Sequence, residues 1–201
     1  MATITDLKPQ KRNGFINVMV DGEFLCGLTD IQMSNLGLSI GQSVTQERLD
    51  ELKALSITSK SYFAAIRYLS YRIRSEGEVR DYLKRKDYEA IDSAIERLYA
   101  ERFLDDVDFC ERWVRMRIEQ NRSPRAIRSE LMQKKVSSAI INEAMMEYGS
   151  DTYVDQIRRL IQKKRATNVN MEPEKLMQFL NRKGFAYSDI KVALEDQDDY
   201  V

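Results

Sequence analysis

The stretch SYFAAIRYLSYRIRSEGEVRDYLKRKDYEAIDSAIERLYAERFLDD, from Ser61 to Asp106, decides the fold of this chain. Its apolar residues recur every three or four positions in three successive groups, with charged residues between them. This spacing puts the apolar side chains on one face of each of three short helices. Ser75 precedes Glu78 by three residues, the spacing of a capping box, so the second helix is predicted to begin at Ser75. A helix of about a dozen residues is marginal alone, and the unit is expected to need neighbours.

Two further copies of this unit follow in the sequence. Residues 82–88 align with 130–136 and with 179–185, at offsets of 48 and then 49 residues. Under the same offsets Ser75 aligns with Ser123 and Glu172. Pro124 and Pro173 then share the first position of the second helix, where proline costs no hydrogen bond. The chain is therefore predicted to be mainly α, with three tandem three-helix repeats stacked in an extended array.

Residues 1–57 have a different, β-rich pattern. Side chains alternate from Phe15 to Val20, and Asp21-Gly22, a dipeptide favoured in tight hairpin turns, follows. A second strand from Glu23 to Leu28 is predicted to return from this turn. The segment from Thr3 to Lys8 is a candidate third strand, joined to the hairpin by a turn at residues 11–14.

Three helices are predicted between this hairpin and the second helix of the first repeat. Thr29 or Asp30 caps a short helix that stops at Gly37. A second helix runs from about Gln46 to Leu55, and the first helix of the first repeat runs separately from Tyr62 to Ile73. The predicted division is an N-terminal β-rich region with short helices at 1–57, then repeats at 58–104, 105–149 and 150–201, the last with an acidic tail.

Composition argues against an enzyme. The chain of 201 residues has no histidine, which is the commonest general base at neutral pH and the commonest metal ligand. Its two cysteines, Cys26 and Cys110, are too few for a four-ligand metal site and are interpreted as small buried hydrophobic residues. The segment from Gly37 to Ser43 lacks the lysine of a phosphate-binding loop. No catalytic residue, metal or cofactor is predicted.

No apolar run approaches the roughly 20 residues that span a bilayer, and the first residues lack the apolar core of a signal peptide. The chain is therefore expected to be cytoplasmic, with no membrane contact, and to be a monomer.

Charge is balanced over the chain, with 32 basic and 32 acidic residues, but it is strongly segregated. From Glu111 to Arg128 there are six arginines and two acidic residues, and from Arg158 to Arg165 five basic residues and no acidic one. The segments from Glu96 to Asp108 and from Glu195 to Asp199 are acidic. Because charges act over about a Debye length of roughly 8 to 10 Å, these local sums decide which partners the surface attracts.

The basic segments are candidate contacts for phosphates or for acidic patches on a partner. The alternative is a solvated face with internal pairing, for example of Arg115 with Glu111 or Glu119 at helical spacing. Such pairing cannot absorb six arginines, so binding is favoured. The predicted partner- or DNA-binding residues are Arg67, Arg72, Arg74, Arg112, Arg115, Arg117, Arg122, Arg125, Arg128, Arg158, Arg159, Lys163, Lys164 and Arg165.

Trp113 is interpreted as a core anchor rather than a base-stacking platform. Tyr68 and Tyr71 lie beside basic residues, and packing on a neighbouring helix is favoured over stacking with a base. Asp105 and Asp106 are interpreted as N-terminal caps of the next helix.

Several segments together resemble the RecX regulatory proteins. They are SYRIRSEGEVRDYLKRK, the Ile-x-x-Ala-Ile stretch from Ile91, RFLDDVDFCERWVRMRI, and DGEFLCGL in the N-terminal region. One departure is Gly77 inside the second helix, which is expected to weaken that helix by up to about 1 kcal/mol relative to alanine.

The resemblance implies three helical repeats and a modulator of DNA recombination, DNA repair and the SOS response. It implies a protein that lodges in the groove of the RecA filament on single-stranded DNA and inhibits strand exchange, ATP hydrolysis and co-protease activity. Supplementary contacts to single-stranded DNA phosphates within the filament are also expected. The alternative function is a stand-alone nucleic-acid-binding module with helix-turn-helix-like units, which zero net charge disfavours because affinity for DNA comes largely from phosphate neutralisation.

Overall fold

A computed structural model describes residues 1–10, 14–168 and 171–198. By its internal contacts the chain divides into two compact units. The first unit comprises Met1–Ile73 and Val79–Leu104, and the second comprises Arg74–Glu78 and the chain from Asp105 onward. Residues 11–13 of the predicted turn at 11–14 and the end of the acidic tail at Asp199 lie outside the described residues.

The first unit begins with an antiparallel sheet of strands β1 (Ala2–Pro9), β2 (Phe15–Val20), β3 (Glu23–Thr29) and β4 (Ser43–Val44), in the order β3-β2-β1-β4. The predicted hairpin and third strand are confirmed, and β4 is an addition. A short helix, α1 (Asp30–Leu36), follows β3 with Thr29 as its N-cap and Gly37 as its left-handed C-cap, as predicted.

A single helix, α2 (Gln46–Leu69), occupies the region where two separate helices were expected. The prediction of a break between Leu55 and Tyr62 is wrong because the serines there are buried and hydrogen-bonded. The hydroxyl of Ser56 donates to the carbonyl of Gly27 on β3 (2.7 Å) and accepts from the amide of the same residue (3.1 Å). Small hydroxyl side chains thus let α2 lie close to the sheet.

The remaining helices of the first repeat are α3 (Glu76–Arg85) and α4 (Ile91–Ala100). α4 packs on α2, and Val79, Leu83, Ala94 and Leu98 are fully buried between the helices. By its contacts the first turn of α3 belongs to the second unit and the rest of α3 to the first. The predicted boundary at residues 57 and 58 falls inside α2, and the division of the chain into four segments stays a prediction.

The second unit contains two more triads. They are α5 (Asp106–Glu119), α6 (Pro124–Gln133) and α7 (Ser138–Met146), followed by α8 (Ser150–Thr167), α9 (Pro173–Lys183) and α10 (Tyr187–Asp198). In each triad the first and third helices pack together. Ile127 and Leu176, which align with Val79, are fully buried, and Pro124 and Pro173 begin their helices as predicted. The mainly α class with three helical repeats after a β-rich region is confirmed.

A serine hydroxyl forms a repeated junction within the second unit. The hydroxyl of Ser75 accepts from the Glu78 amide (3.2 Å) and donates to the carbonyl of Lys134, just beyond α6 (2.6 Å). In the same way Ser123 accepts from the Ala126 amide (3.3 Å) and donates to the carbonyl of Lys183 at the end of α9 (2.5 Å). Each serine therefore caps one helix and also satisfies a carbonyl at the end of another.

Gly77 lies at the first of these junctions. A β-carbon at this position would lie 2.4 Å from Cβ of Lys135 and 2.6 Å from the carbonyl oxygen of Lys134. The expectation that Gly77 merely weakens α3 is therefore incomplete, because only glycine allows the two backbones to approach this closely.

Candidate partner-binding surface

The second repeat carries most of the predicted binding arginines, and the structure divides them into paired and available groups. On α5, Arg112 forms an exposed ion pair with Asp108 one turn earlier (2.8 Å), which raises the pKa of the arginine. Arg115 is exposed and forms no ion pair within the described part of the chain, so the alternative that it pairs with Glu111 or Glu119 is not observed. Arg115 remains available to a partner.

Glu130 on α6 is the centre of a cluster of charged and aromatic side chains in the second repeat. One carboxylate oxygen accepts from Nε of Arg117 (2.6 Å) and from Nε1 of Trp113 (3.1 Å). Nε of Arg122 lies 3.8 Å from the other oxygen. The Arg117 and Glu130 side chains are only 21% and 22% exposed. Arg117 therefore has an internal role that its local sequence does not indicate, because its partner lies 13 residues away.

Lys134 completes this cluster. Its ammonium group lies 4.2 Å from the centre of the Trp113 ring and 3.0 Å from a carboxylate oxygen of Glu78, and Arg117 lies over the same ring at 4.7 Å. Two cations thus lie against the Trp113 ring, which packs on the core of the repeat, and this agrees with its interpretation as a structural anchor. No local sequence pattern indicates the roles of Glu130 and Lys134.

The solvent side of α6 offers a surface of a different kind. We call it the α6 face, and it consists of Arg125, Arg128, Ser129, Met132 and Gln133, which line a shallow depression of about 420 Å³. Their spacing is that of one face of a helix. Met132 is 57% exposed, although it is apolar.

Among the described residues no acidic one lines this depression, and Arg128 donates to the neutral side chain of Asn142 (2.6 Å). Arg125 and Arg128 are the two predicted residues that the structure brings together around one depression of the second repeat. An exposed thioether beside two cations can bind a partner surface that combines apolar and acidic groups.

Most of the predicted basic residues on α8, in the third repeat, already contact other groups of the chain. Arg158 pairs with Asp155 (2.8 Å), an acidic residue just before the segment that looked purely basic, and Nε of Arg159 donates to the carbonyl of Asp155 (3.3 Å). Lys164 lies 5.3 Å from the centre of the Phe179 ring, and Arg165 is half-buried. Lys163 is exposed.

The predicted arginines of the first repeat are divided between the two units. Arg67 is exposed in the last turn of α2, in the first unit. Arg72 donates to the carbonyl of Ile73 (2.9 Å), and Arg74 is half-buried and belongs to the second unit. Tyr68 packs on Tyr82 with the ring centres 4.0 Å apart, as favoured, whereas Tyr71 is 79% exposed.

The paired aspartates before α5 have two different roles. Asp105 caps α5, as predicted, by accepting from the amides of Val107 (2.9 Å) and Asp108 (3.0 Å). Asp106 is buried and accepts instead from the amide of Glu76 at the start of α3 (2.7 Å), so its interpretation as a cap of α5 is wrong. Burial raises the pKa of Asp106.

Both cysteines are buried and free, as predicted. Burial raises the pKa of the Cys26 and Cys110 thiols to about 11, so neither is a thiolate at neutral pH. Within the described residues, no acidic and cysteine side chains cluster as a metal site would require. No helix in that part of the chain has both the length and the apolar character needed to cross a membrane.

Comparisons with known proteins agree on one family. Family models described as the RecX first and second three-helix domains match residues 62–98 and 105–145. A protein of Bacillus cytotoxicus named regulatory protein RecX is 30% identical over 208 residues, which cover 98% of this chain and 77% of the relative. A protein of the same name from Listeria innocua is 28% identical over 198 residues, which cover 94% of this chain and 74% of the relative.

Solved structures show the same fold. A crystal structure of regulatory protein RecX aligns with a TM-score of 0.80 over 97% of this chain and 100% of its own, at 23% identity. A crystal structure of RecX from Lactobacillus salivarius aligns with a TM-score of 0.66 over 71% of this chain and 97% of its own, at 28% identity.

Proposed function

The chain belongs to the RecX family of regulatory proteins, and on that basis we propose that it binds the filament that RecA forms on single-stranded DNA and inhibits it. The observation that carries the proposal is the similarity to curated relatives over almost the whole chain. In this proposal the chain acts in the cytoplasm and lowers strand exchange, ATP hydrolysis and co-protease activity without catalysing a reaction of its own.

The α6 face is the part of the second repeat that we assign to the filament. Arg125 and Arg128 present two cations, none of the described residues lining their depression is acidic, and Met132 adds exposed apolar area. Two arginines of α5 are weaker candidates, because Arg112 and Arg117 are already paired with Asp108 and Glu130. Arg115 is a further candidate contact.

Linked repeats suit a filament as partner. Once one repeat has bound the filament, the others are held close to it at a high effective concentration. No single contact therefore has to be tight. Binding changes the activity of the filament only if the chain prefers one filament state to another. Inhibition therefore requires a higher affinity for the state that does not exchange strands.

The test is the ATPase activity of RecA on single-stranded DNA. We expect the purified chain to suppress ATP hydrolysis at concentrations at which it scarcely binds free DNA at about 0.15 M salt, because the free chain has zero formal net charge. Fluorescence anisotropy of labelled DNA without RecA measures the second quantity.

Tight, salt-resistant binding to naked DNA with no change in RecA ATPase activity contradicts the proposal. That result would instead support the alternative function, a stand-alone nucleic-acid-binding module.

A further inference from the structure

The first unit contains a second surface depression that the preceding proposal does not use. It has a volume of about 500 Å³ and is lined by four aromatic rings and two cations. We call it the aromatic groove and define it by Phe15, Lys60, Phe63, Arg67, Tyr82 and Tyr88.

The fold fixes the rings of the aromatic groove in place. Phe63 meets Phe15 edge to face, with the ring centres 5.6 Å apart. Tyr82 is stacked on Tyr68 at 4.0 Å with nearly parallel planes. Because Phe15 is buried and Tyr82 and Tyr88 are half-buried, these rings are held in place before a ligand binds and do not have to be ordered on binding.

The charge of the groove is not neutralised. Lys60 and Arg67 are both exposed, and within the described residues neither forms an ion pair. None of the described residues that line the groove is acidic. The neighbouring depression, which shares Tyr88, differs in this respect because Arg80 there pairs with Asp92. The free positive charge is therefore concentrated beside the aromatic rings.

Flat apolar rings beside unpaired cations match a ligand that combines planar bases with regularly spaced phosphates. Every base offers a face on which an aromatic side chain can stack, and cations beside the rings follow the phosphate backbone. An acidic peptide would satisfy the cations but would leave most of the aromatic surface without a matching partner. A volume of about 500 Å³ lies within the usual range for small-ligand sites, so one or two nucleotides can enter the groove.

We propose that the aromatic groove binds single-stranded nucleic acid, with one base stacked on its rings and phosphates paired with Lys60 and Arg67. This contact is separate from the α6 face and does not require RecA. With only two phosphate contacts it is weak near physiological salt, which is compatible with the low affinity for free DNA expected above.

The salt dependence of binding tests the electrostatic half of this proposal. The probe is a fluorescent 15-residue oligothymidylate, and its anisotropy is measured from about 20 to 150 mM salt without RecA. Each phosphate contact to a single strand contributes about 0.7 to the slope of log affinity against log salt concentration. Replacing both cations (K60Q/R67Q) is therefore expected to reduce the slope by about 1.4.

The matched control removes two exposed lysines of the same unit outside the groove, Lys53 and Lys86, as K53Q/K86Q. It is expected to retain most of the slope. Equal slopes for the two double variants overturn the proposal.

The stacking half is tested at Phe63, which is 37% exposed. Phe63→Leu removes a ring while keeping an apolar side chain, and it is expected to weaken oligothymidylate binding at least fivefold with an unchanged circular-dichroism spectrum. A photo-crosslink from 4-thiothymidine in the probe is expected to map to peptides that contain Phe63 or Tyr88, which locates the site in wild-type protein.

Crosslinks confined to residues beyond Asp105 overturn the assignment to this groove. Full displacement of the probe by equimolar thymidine monophosphate overturns the assignment to a strand, since it would show a mononucleotide site. Because RecA is absent, failure of these tests leaves the proposed inhibition of RecA unaffected, and the ATPase test does not depend on the groove.

Discussion

Arg125 and Arg128 show how a single acidic side chain elsewhere decides which arginines remain available. Glu130 forms an ion pair with Arg117 and lies near Arg122, while no acidic residue in the described part of the chain lines the depression beside the two arginines of the α6 face. We therefore expect R125E/R128E to weaken binding to the RecA filament by about tenfold or more, because like charges would replace complementary ones. Cosedimentation with filaments measures the loss, and circular dichroism checks the fold.

The control for this prediction is K175E/K191E, which makes the same change in net charge at two exposed lysines of α9 and α10. If R125E/R128E and the control bind filaments equally well, the α6 face is not part of the binding site.

Asp106 is a buried carboxylate whose effect on stability depends on pH. Burial raises its pKa in the folded state, so the folded state favours the protonated form. The stabilisation from this group is present in full below the unfolded pKa of about 3.9 and is lost as pH rises through the folded pKa. Asp106→Asn keeps an oxygen that can accept from the Glu76 amide but carries no charge. We expect the free energy of unfolding of the Asp106→Asn variant, relative to wild type, to increase from pH 4 to pH 7. The increase is about 1.4 kcal/mol for each unit by which folding shifts the pKa of Asp106.

Urea unfolding at several pH values measures this difference, and Asp105→Asn, which changes an exposed carboxylate in the same turn, is the control. A constant difference between Asp106→Asn and wild type across that range would show that Asp106 does not titrate differently in the two states.

At the scale of the helix, the first turn of α3 packs directly on Lys134 and Lys135, which follow α6. A helix-propensity scale alone predicts that Gly77→Ala stabilises the chain by about 1 kcal/mol. The structure predicts the opposite sign, a loss of about 1–3 kcal/mol, because the new β-carbon would lie 2.6 Å from the carbonyl oxygen of Lys134. Urea denaturation decides between the two. Gly149→Ala, which meets nothing within 4 Å, is expected to change stability by less than about 1 kcal/mol.

The serine junction can be separated from ordinary capping by comparing two caps. Ser137 only accepts from the amide of Ile140 (3.4 Å), whereas Ser123 also donates to the carbonyl of Lys183. We expect Ser137→Ala to cost about 1 kcal/mol of unfolding free energy and Ser123→Ala about 2 kcal/mol, since the second change also leaves a carbonyl without its donor. Equal costs would mean that the bond to Lys183 adds nothing to stability.

Over the whole molecule, the features predicted from sequence are those that depend on neighbours a few residues away. Spacing of apolar residues identified the repeats, and local caps such as Thr29 and Ser75 identified where helices begin. The features missed depend on distant partners. A break in the helix was expected between Leu55 and Tyr62, but Ser56 in that segment bonds to Gly27 on β3. Arg117 was predicted to contact a partner, but Glu130 is packed beside it.

The candidate site shows the same limit. The fourteen predicted basic residues were chosen from local excess of charge and stay predictions. The structure shows which of them in the second repeat are already paired, and on that ground we propose the α6 face and Arg115 as contacts. The aromatic groove was not predicted as a unit, because Phe15 and Tyr88 are separated by more than seventy residues in the sequence. Only Arg67 among its members belonged to the predicted set.

The two serine junctions also have a direction. In each, a donor at the start of one helix meets an acceptor at the end of the corresponding helix one repeat later, from Ser75 to Lys134 and from Ser123 to Lys183. The third copy has Glu172 at the donor position, and its side chain makes no capping bond. A repeat transplanted between members of such a family would therefore pack correctly only if it kept a hydroxyl donor at one junction and a carbonyl acceptor at the other. The order of the repeats is thus part of what the sequence encodes.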